Sequence, residues 1–352
     1  METRQLTTVG GLLQESLASS MHGFDVLGSD SIDSLPTPDA LRYGLFSLVT
    51  EEANPTLTFS TGNQSGTIYW PDGTTTVGLG ATNSKALTGI SAGDSLTVQM
   101  DRPLKFGFKQ VSSTGDFNSF EVYWDGLTDT NNIELKDYGI TRPMLQSMTN
   151  TLTNLDLRGN NITGDFPDGI TVTNNLYIQD NSFTGSLPTF SNGMLRYQVN
   201  GNEFRGDIPD ISGSTTIQSF LCYNQNDGIL KRRPNVRVML TGTIPDLSGC
   251  TNLSFYHVGA GPSWVNGFKN DLNVASDFDV SVNLAKFFAS NCQLSTADVD
   301  KILAAFAAKA GTFTNPTTID LSGTNGFPTA TGLADKQTLE ADGWTVKLPA
   351  QD

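Results

Sequence analysis

The chain is short of the residues that ordinary active sites use. Of 352 residues, two are histidine, three are cysteine and 16% are charged. His22 and His257 stand far apart, form no His-x-x-x-His pair and are joined by no Cys-x-x-Cys, so no metal site of familiar spacing is present. The cysteines, Cys222, Cys250 and Cys292, are too few and odd in number for a disulfide framework. Lysine and arginine number 21 against 36 acidic residues, a net charge of −15. So acidic a chain lacks the basic face that phosphate backbones require, which excludes a general nucleic-acid role. No apolar run reaches the length of a membrane-crossing helix, and no membrane insertion is expected. The opening residues, METRQLTTVGGLLQESLASSM, break their apolar positions with Gly, Gln, Glu and Ser, so the expectation is synthesis in a cytoplasm without a cleaved leader. A nucleophile elbow, a phosphate loop and a dinucleotide fingerprint are all missing. The acidic residues fall mostly in turns such as DTNNIELKD and FPDG, where turn chemistry accounts for them. WDGLTDTNN misses the EF-hand spacing for Ca²⁺. These absences lead us to expect a protein that is not an enzyme and uses no cofactor or resident metal.

What is abundant is glycine, at 35 residues, with frequent Ser, Thr and Asn, the profile of a β-rich, turn-rich protein. The length suits two or three structural units. The organising stretch is Leu152 to Pro209, which repeats itself as LTNLDLRGNNITGDFP, NLYIQDNSFTGSLP and MLRYQVNGNEFRGDIP. Asn160, Asn181 and Asn202 are 21 residues apart, as are Gly164, Gly185 and Gly206, and Pro167, Pro188 and Pro209. A fixed period of this size marks a solenoid. A short strand sends alternate side chains such as Leu155 and Leu157 inward. The Asn amide can then bond neighbouring backbone, Gly permits a bend, and stacking buries a core that no coil could bury alone. The pattern resembles the leucine-rich repeat in its Gly-x-x-Pro variant, which implies a parallel sheet but leaves the ligand open.

The fold class expected is mainly β with some α, in three parts. Residues 1–54 are expected to form an N-terminal arm with short helices, from the apolar spacing of Val9, Leu12, Leu13, Leu17 and Met21. The arm either caps the next domain or anchors the protein on a larger assembly. Residues 55–115 alternate apolar and polar positions, as in Leu57 and Phe59, then Leu96, Val98 and Met100, and are expected to form a small β-sandwich. IYWPDGTTT and SAGDSLTVQM within it resemble elements of a polycystic-kidney-disease-like immunoglobulin-type sandwich. Residues 116–350 are expected to be the solenoid, with insertions near 225–239 and 259–272 and a C-terminal cap over 312–350. Leu135 sits 22 residues before Leu157 and opens a degenerate first coil, and Leu221 with Asn224 restarts the pattern after Pro209. The first insertion carries a basic group, Lys231, Arg232, Arg233 and Arg237. Later, KFFASNCQLS places Phe288 inward and Asn291 at the turn. A helix follows over Val299, Ile302, Leu303 and Phe306, opened by a capping box of Ser295 and Asp298.

Side chains between the inward positions form the exposed sheet face, the candidate interaction surface. They are Glu134, Lys136, Asp156, Arg158, Tyr177, Gln179, Arg196, Gln198 and Phe220. Arg and Tyr are favoured at binding hot spots. A coil shifted by one would instead turn Phe220 inward. His257, beside Phe255, Tyr256 and Val258, reads as a solenoid-face residue.

The ending, STADVDKILAAFAAKAG, TTIDLSGTNG and GLADKQTLEADGWTV, resembles a C-terminal module of bacteriophage tail-fibre and other virion proteins. That resemblance implies a structural virion protein on the particle surface, as capsid decoration, head fibre or tail or baseplate fibre. Its expected partners are capsid or tail proteins, reached through the N-terminal arm, and further copies of itself, a trimer by preference. The alternatives are an adhesin for a host surface glycan or protein, and a bacterial surface leucine-rich repeat protein.

Overall fold

The structure, a computed structural model, describes residues 43–50, 53–54, 56–60, 64–79, 82–92, 94–101, 105–108, 117–123, 130–141, 143–144, 146–225, 238–259 and 269–350. The chain divides into two compact units, Met1–Thr130 and Asn131–Asp352.

The first unit holds β1 (Tyr43–Thr50), β2 (Thr56–Ser60), β3 (Gln64–Tyr69), β4 (Thr75–Leu79), β5 (Thr82–Ala86), β6 (Ser95–Asp101), β7 (Lys105–Phe108) and β8 (Phe117–Tyr123). A five-stranded antiparallel sheet runs β4-β3-β6-β1-β8, and β2 pairs antiparallel with β5 and β7. Period-two alternation buries Leu57, Phe59, Ile68, Leu96, Val98 and Met100, and Phe59 meets Trp70 at 5.8 Å between ring centroids. Two boundaries differ from expectation. Tyr43–Thr50, assigned to a helical arm, is a strand in continuous register with β6, and β8, assigned to the solenoid, pairs with β1. Short apolar runs such as YGLFSLVT are ambiguous between helix and strand until a partner is found, and here the partner is about fifty residues away. The helix expected over residues 5–21 lies outside the described residues.

The second unit holds β9 (Asn132–Glu134), β10 (Thr151–Asp156), β11 (Thr163–Asp165), β12 (Thr171–Tyr177), β13 (Ser182–Thr184), β14 (Arg196–Gln198), β15 (Gly206–Asp207), β16 (Ser219–Leu221), β17 (Val238–Ile244), β18 (Phe255–His257), β19 (Lys269–Val274), β20 (Lys286–Phe288), α1 (Thr296–Ala307), β21 (Thr318–Asp320), α2 (Ala330–Ala341) and β22 (Thr345–Lys347). Its main sheet runs β9-β10-β12-β14-β16-β18-β20-β21-β22, every pair parallel. On the return side of the coils, β11 pairs with β13, and β15, β17 and β19 form a second parallel set. The motif glycines Gly164, Gly185, Gly206 and Gly242 all have positive φ, between 79° and 98°, so the bend before each return leg favours a residue without Cβ.

Two features hold the stack. One is a row of inward rings in register: Tyr197 on Phe220 at 5.0 Å, Phe220 on Tyr256 at 5.3 Å and Tyr256 on Phe287 at 5.5 Å, all near parallel and all buried. The other is the asparagine row. Asn181 Nδ2 donates to Leu157 O in the preceding coil and to Ile178 O in its own, while its Oδ1 accepts Ile162 N–H. Asn160, Asn202 and Asn325 bond backbone in the same way, and Asn270 donates to Val258 O and accepts Leu240 N–H.

Past Pro209 the row changes chemistry and the expected register slips by one. Gln225, not Asn224, follows Asn202: its Nε2 donates to Val199 O and Cys222 O, and its Oε1 accepts Phe204 N–H. The coil is therefore 23 residues long, and Phe220 and Cys222 point inward at 0% exposure. Phe220 is thus removed from the expected interaction face. A one-residue slip exchanges the two faces of a strand. The same correction applies at β20, where Phe287 is buried and Phe288 faces out. There Cys292 stands in the asparagine place, its thiol against Val258 O and Ser290 O.

The last coils return through helices. Ser295 and Asp298 form the reciprocal capping box of α1, which buries Val299, Ile302, Leu303 and Phe306. Trp344, 3% exposed, meets Phe306 and Phe313 edge-on at 5.3 and 5.0 Å and closes that end of the core.

Candidate functional site

Because inward residues alternate with outward ones, the registers place two rows on the outer face of the main sheet. One is Asn132, Asn154, Asn175, Arg196, Ser219, Phe255, Lys286, Thr318 and Thr345. The other is Glu134, Asp156, Tyr177, Gln198, Leu221, His257, Phe288, Asp320 and Lys347. The expected Glu134, Asp156, Tyr177, Arg196 and Gln198 lie in these rows, and Lys136, Arg158 and Gln179 continue past the strand ends. The basic residues Lys231, Arg232, Arg233 and Arg237 lie outside the described residues.

The N-terminal half of this face is partly engaged with itself, although Arg158 Nε, Asn175 Oδ1 and Gln179 Oε1 are buried without a hydrogen-bond partner among the described residues. Arg158 Nη2 donates to Asp156 Oδ2 at 2.7 Å, and its guanidinium covers the Tyr177 ring at 4.9 Å. Burial pushes the Asp156 carboxyl above the usual range, with Arg158 pulling the other way. Asn175 donates to Asn154 at 2.6 Å across the rungs. Tyr177 and Arg158 therefore offer a partner less than their residue types suggest, since one ring face and one fork of the guanidinium are already engaged.

The C-terminal half is different in kind. Tyr223 and His257 stack at 3.8 Å, His257 meets Phe288 at 4.9 Å, and Phe255 meets Phe288 at 5.6 Å. All four are half-buried. Lys286, exposed, sets its ammonium over Phe255 at 5.4 Å. Lys347 pairs with Asp320 at 3.6 Å on the far side. Tyr223, Phe255 and Phe288 were not among the expected interaction residues. The signal was present in the alternation around Tyr256, but the slip at Phe220 and Phe288 assigned the wrong aromatics to this face.

Burial lowers the His257 pKa from 6.5 to about 3, only partly opposed by the Asp320 carboxylate, so the imidazole is neutral. The sign follows from linkage. Above the ordinary value neither folded nor unfolded chain protonates, and stability is full. As pH falls from 6.5 toward 3, the unfolded chain takes up the proton first and stability is lost. His257→Phe keeps a stacking ring without titration. Wild type is expected to lose roughly 3 kcal/mol more than this variant between neutrality and about pH 4. Urea midpoints of both proteins across that range measure it, and parallel pH curves would refute it.

Among the described residues, no group of three or more His, Cys, Asp or Glu side chains could hold a metal ion, and no helix is long and apolar enough to cross a membrane. Burial also raises the Cys222, Cys250 and Cys292 thiols above their ordinary pKa, so none is a ready thiolate.

The repeat is recognised independently: the leucine-rich repeat family model matches residues 151–172. A solved plant peptide hormone receptor, RGFR1 in complex with RGF2, is similar over 58% of this chain and 30% of that one, at 20% identity and a TM-score of 0.38. The chain thus spans under a third of the receptor's length. No curated protein matches the chain. The family match covers one coil, and the parallel rungs and the asparagine row carry the same solenoid architecture through the coils on either side of it.

Proposed function

We propose that the protein is a non-enzymatic virion component, carried on the surface of a tailed-phage particle, whose solenoid presents its outer sheet face to a partner macromolecule. The observation that carries the recognition half is the aromatic end of that face, Tyr223, Phe255, His257 and Phe288, half-exposed beside Lys286. Aromatic residues ringed by polar ones are the usual composition of an interface centre. The particle half is supported by the order α1, β21, α2, β22. That order carries the Asp320-Leu321-Ser322-Gly323 strand and the Gly343-Trp344-Thr345-Val346 finish through which the chain resembles virion modules. The immunoglobulin-like reading of the first unit belongs to the same proposal, as do attachment through the N-terminal residues and assembly as a trimer. Capsid decoration or head fibre and tail or baseplate fibre are its two forms.

A host-directed adhesin is the second reading, and the same aromatic end favours it. Tyr223 and His257 cover one face of each other at 3.8 Å, however, and Phe255 and Phe288 meet at 63°, so the cluster is an uneven set of faces and edges rather than one flat platform. A protein or peptide partner therefore suits this face better than a sugar laid flat on a ring. Mass spectrometry of particles purified from cells that carry the gene tests the proposal. The expected result is the chain at a fixed ratio to the major capsid or tail protein; its absence from particles, with recovery in the bacterial envelope, would favour a bacterial surface protein instead.

A further inference from the structure

Four Asn-Gly pairs occur in the chain, at Asn192, Asn200, Asn266 and Asn325. Glycine after asparagine leaves the backbone nitrogen unhindered and conformationally free. That nitrogen can then reach the side-chain amide carbon. The fold treats the described pairs very differently. Gly201 N–H donates to Tyr223 O at 3.2 Å, and Asn200 is 7% exposed. Gly326 N–H donates to Leu294 O at 2.7 Å, and the Asn325 side chain makes four hydrogen bonds in the asparagine row. Asn192 and Gly193 are both exposed, in a turn closed by Met194 N–H on Ser191 O. Among the described residues nothing bonds the Asn192 amide or the Gly193 N–H. Asn266–Gly267 lies outside the described residues.

We propose that Asn192 is a site of spontaneous deamidation. The Gly193 nitrogen attacks Asn192 Cγ, a C–N bond forms, and the side-chain nitrogen leaves as ammonia with the proton from Gly193. Water then opens the cyclic imide at either carbonyl, giving aspartate or isoaspartate; the net change is one water consumed and one ammonia released. The structural consequence is local and directional. The Asn192 carbonyl accepts Thr216 Oγ1–H at 2.7 Å and Ser214 Oγ–H at 3.2 Å from the following coil. An isoaspartyl linkage lengthens the main chain by one carbon and draws that carbonyl away, while either product adds a negative charge to the turn that leads into Arg196.

The test incubates the full-length protein in mildly alkaline buffer and follows each Asn-Gly peptide by mass, with isoaspartyl methyltransferase labelling to mark the β-linkage. Asn192 is expected to convert at least about tenfold faster than Asn200 and Asn325, the tenfold equalling 1.36 kcal/mol of barrier. Gly193→Ala is expected to suppress it; the added Cβ would lie 3.2 Å from Thr173 O, a contact that small shifts relieve. Conversion at Asn200 or Asn325 as fast as at Asn192 would overturn the proposal, as would an Asn192 that stays unchanged.

Discussion

Asn202→Ala is expected to cost the solenoid roughly 4 kcal/mol, because buried groups left unpaired lose about 1–3 kcal/mol each. The Asn202 side chain is 0% exposed. It donates to Ile178 O at 2.9 Å, Val199 O at 3.0 Å and Asn200 O at 3.3 Å, and accepts Phe183 N–H at 3.0 Å. Alanine removes both ends of this bridge and leaves the carbonyls of two coils and the Phe183 N–H without their partner. The urea midpoint of the solenoid transition should fall with an unchanged slope. A loss below about 1 kcal/mol, the range of an ordinary substitution, would mean that the asparagine row does not join the coils.

Phe220→Ala is expected to cost about 3–5 kcal/mol, the range for removing a buried ring. Its ring lies between Tyr197 and Tyr256, near parallel to both, at 0% exposure. The neighbouring Ser219→Ala, on the outer face, should change stability by less than about 0.5 kcal/mol. The contrast reads the register directly. Equal and small effects at both positions would return Phe220 to the outer face and undo the 23-residue coil.

These two residues mark where the fold was legible and where it was not. Between Leu152 and Pro209 each coil declares its Asn, Gly and Pro at one interval, and the strands fall where that interval puts them. Beyond Pro209 the physical role persists but at two coils the residue type changes. Gln225 reaches the same carbonyls with a longer side chain, and Cys292 uses a weak thiol donor. A search for asparagine therefore selects Asn224 and Asn291, both of which instead occupy positive φ at the turn. The error of one residue at each then exchanged buried and exposed aromatics, which hid the C-terminal cluster. The helical return leg over Val299 to Phe306 remained legible, because its period and its capping box are local signals. The β1 strand did not, because its pairing with β6 is a contact between distant segments.

The same correction relocates the recognition surface. Tyr177 and Arg158 attract attention by residue type, yet they are engaged with each other and with Asp156. Tyr223, Phe255, His257 and Phe288 pack on one another with Lys286 over Phe255 at the rim, and each stays half-buried, which leaves part of each ring for a partner.

Hydroxyl-radical footprinting, to which aromatic and histidine side chains respond strongly, is the most direct measurement. It would compare the isolated chain with the chain on intact particles bound to host cells. The account predicts protection at Tyr223, Phe255, His257 and Phe288, with the return-side strands β11, β13, β15, β17 and β19 unchanged. Protection confined to those return-side strands, with the four rings as reactive as in the isolated chain, would contradict it.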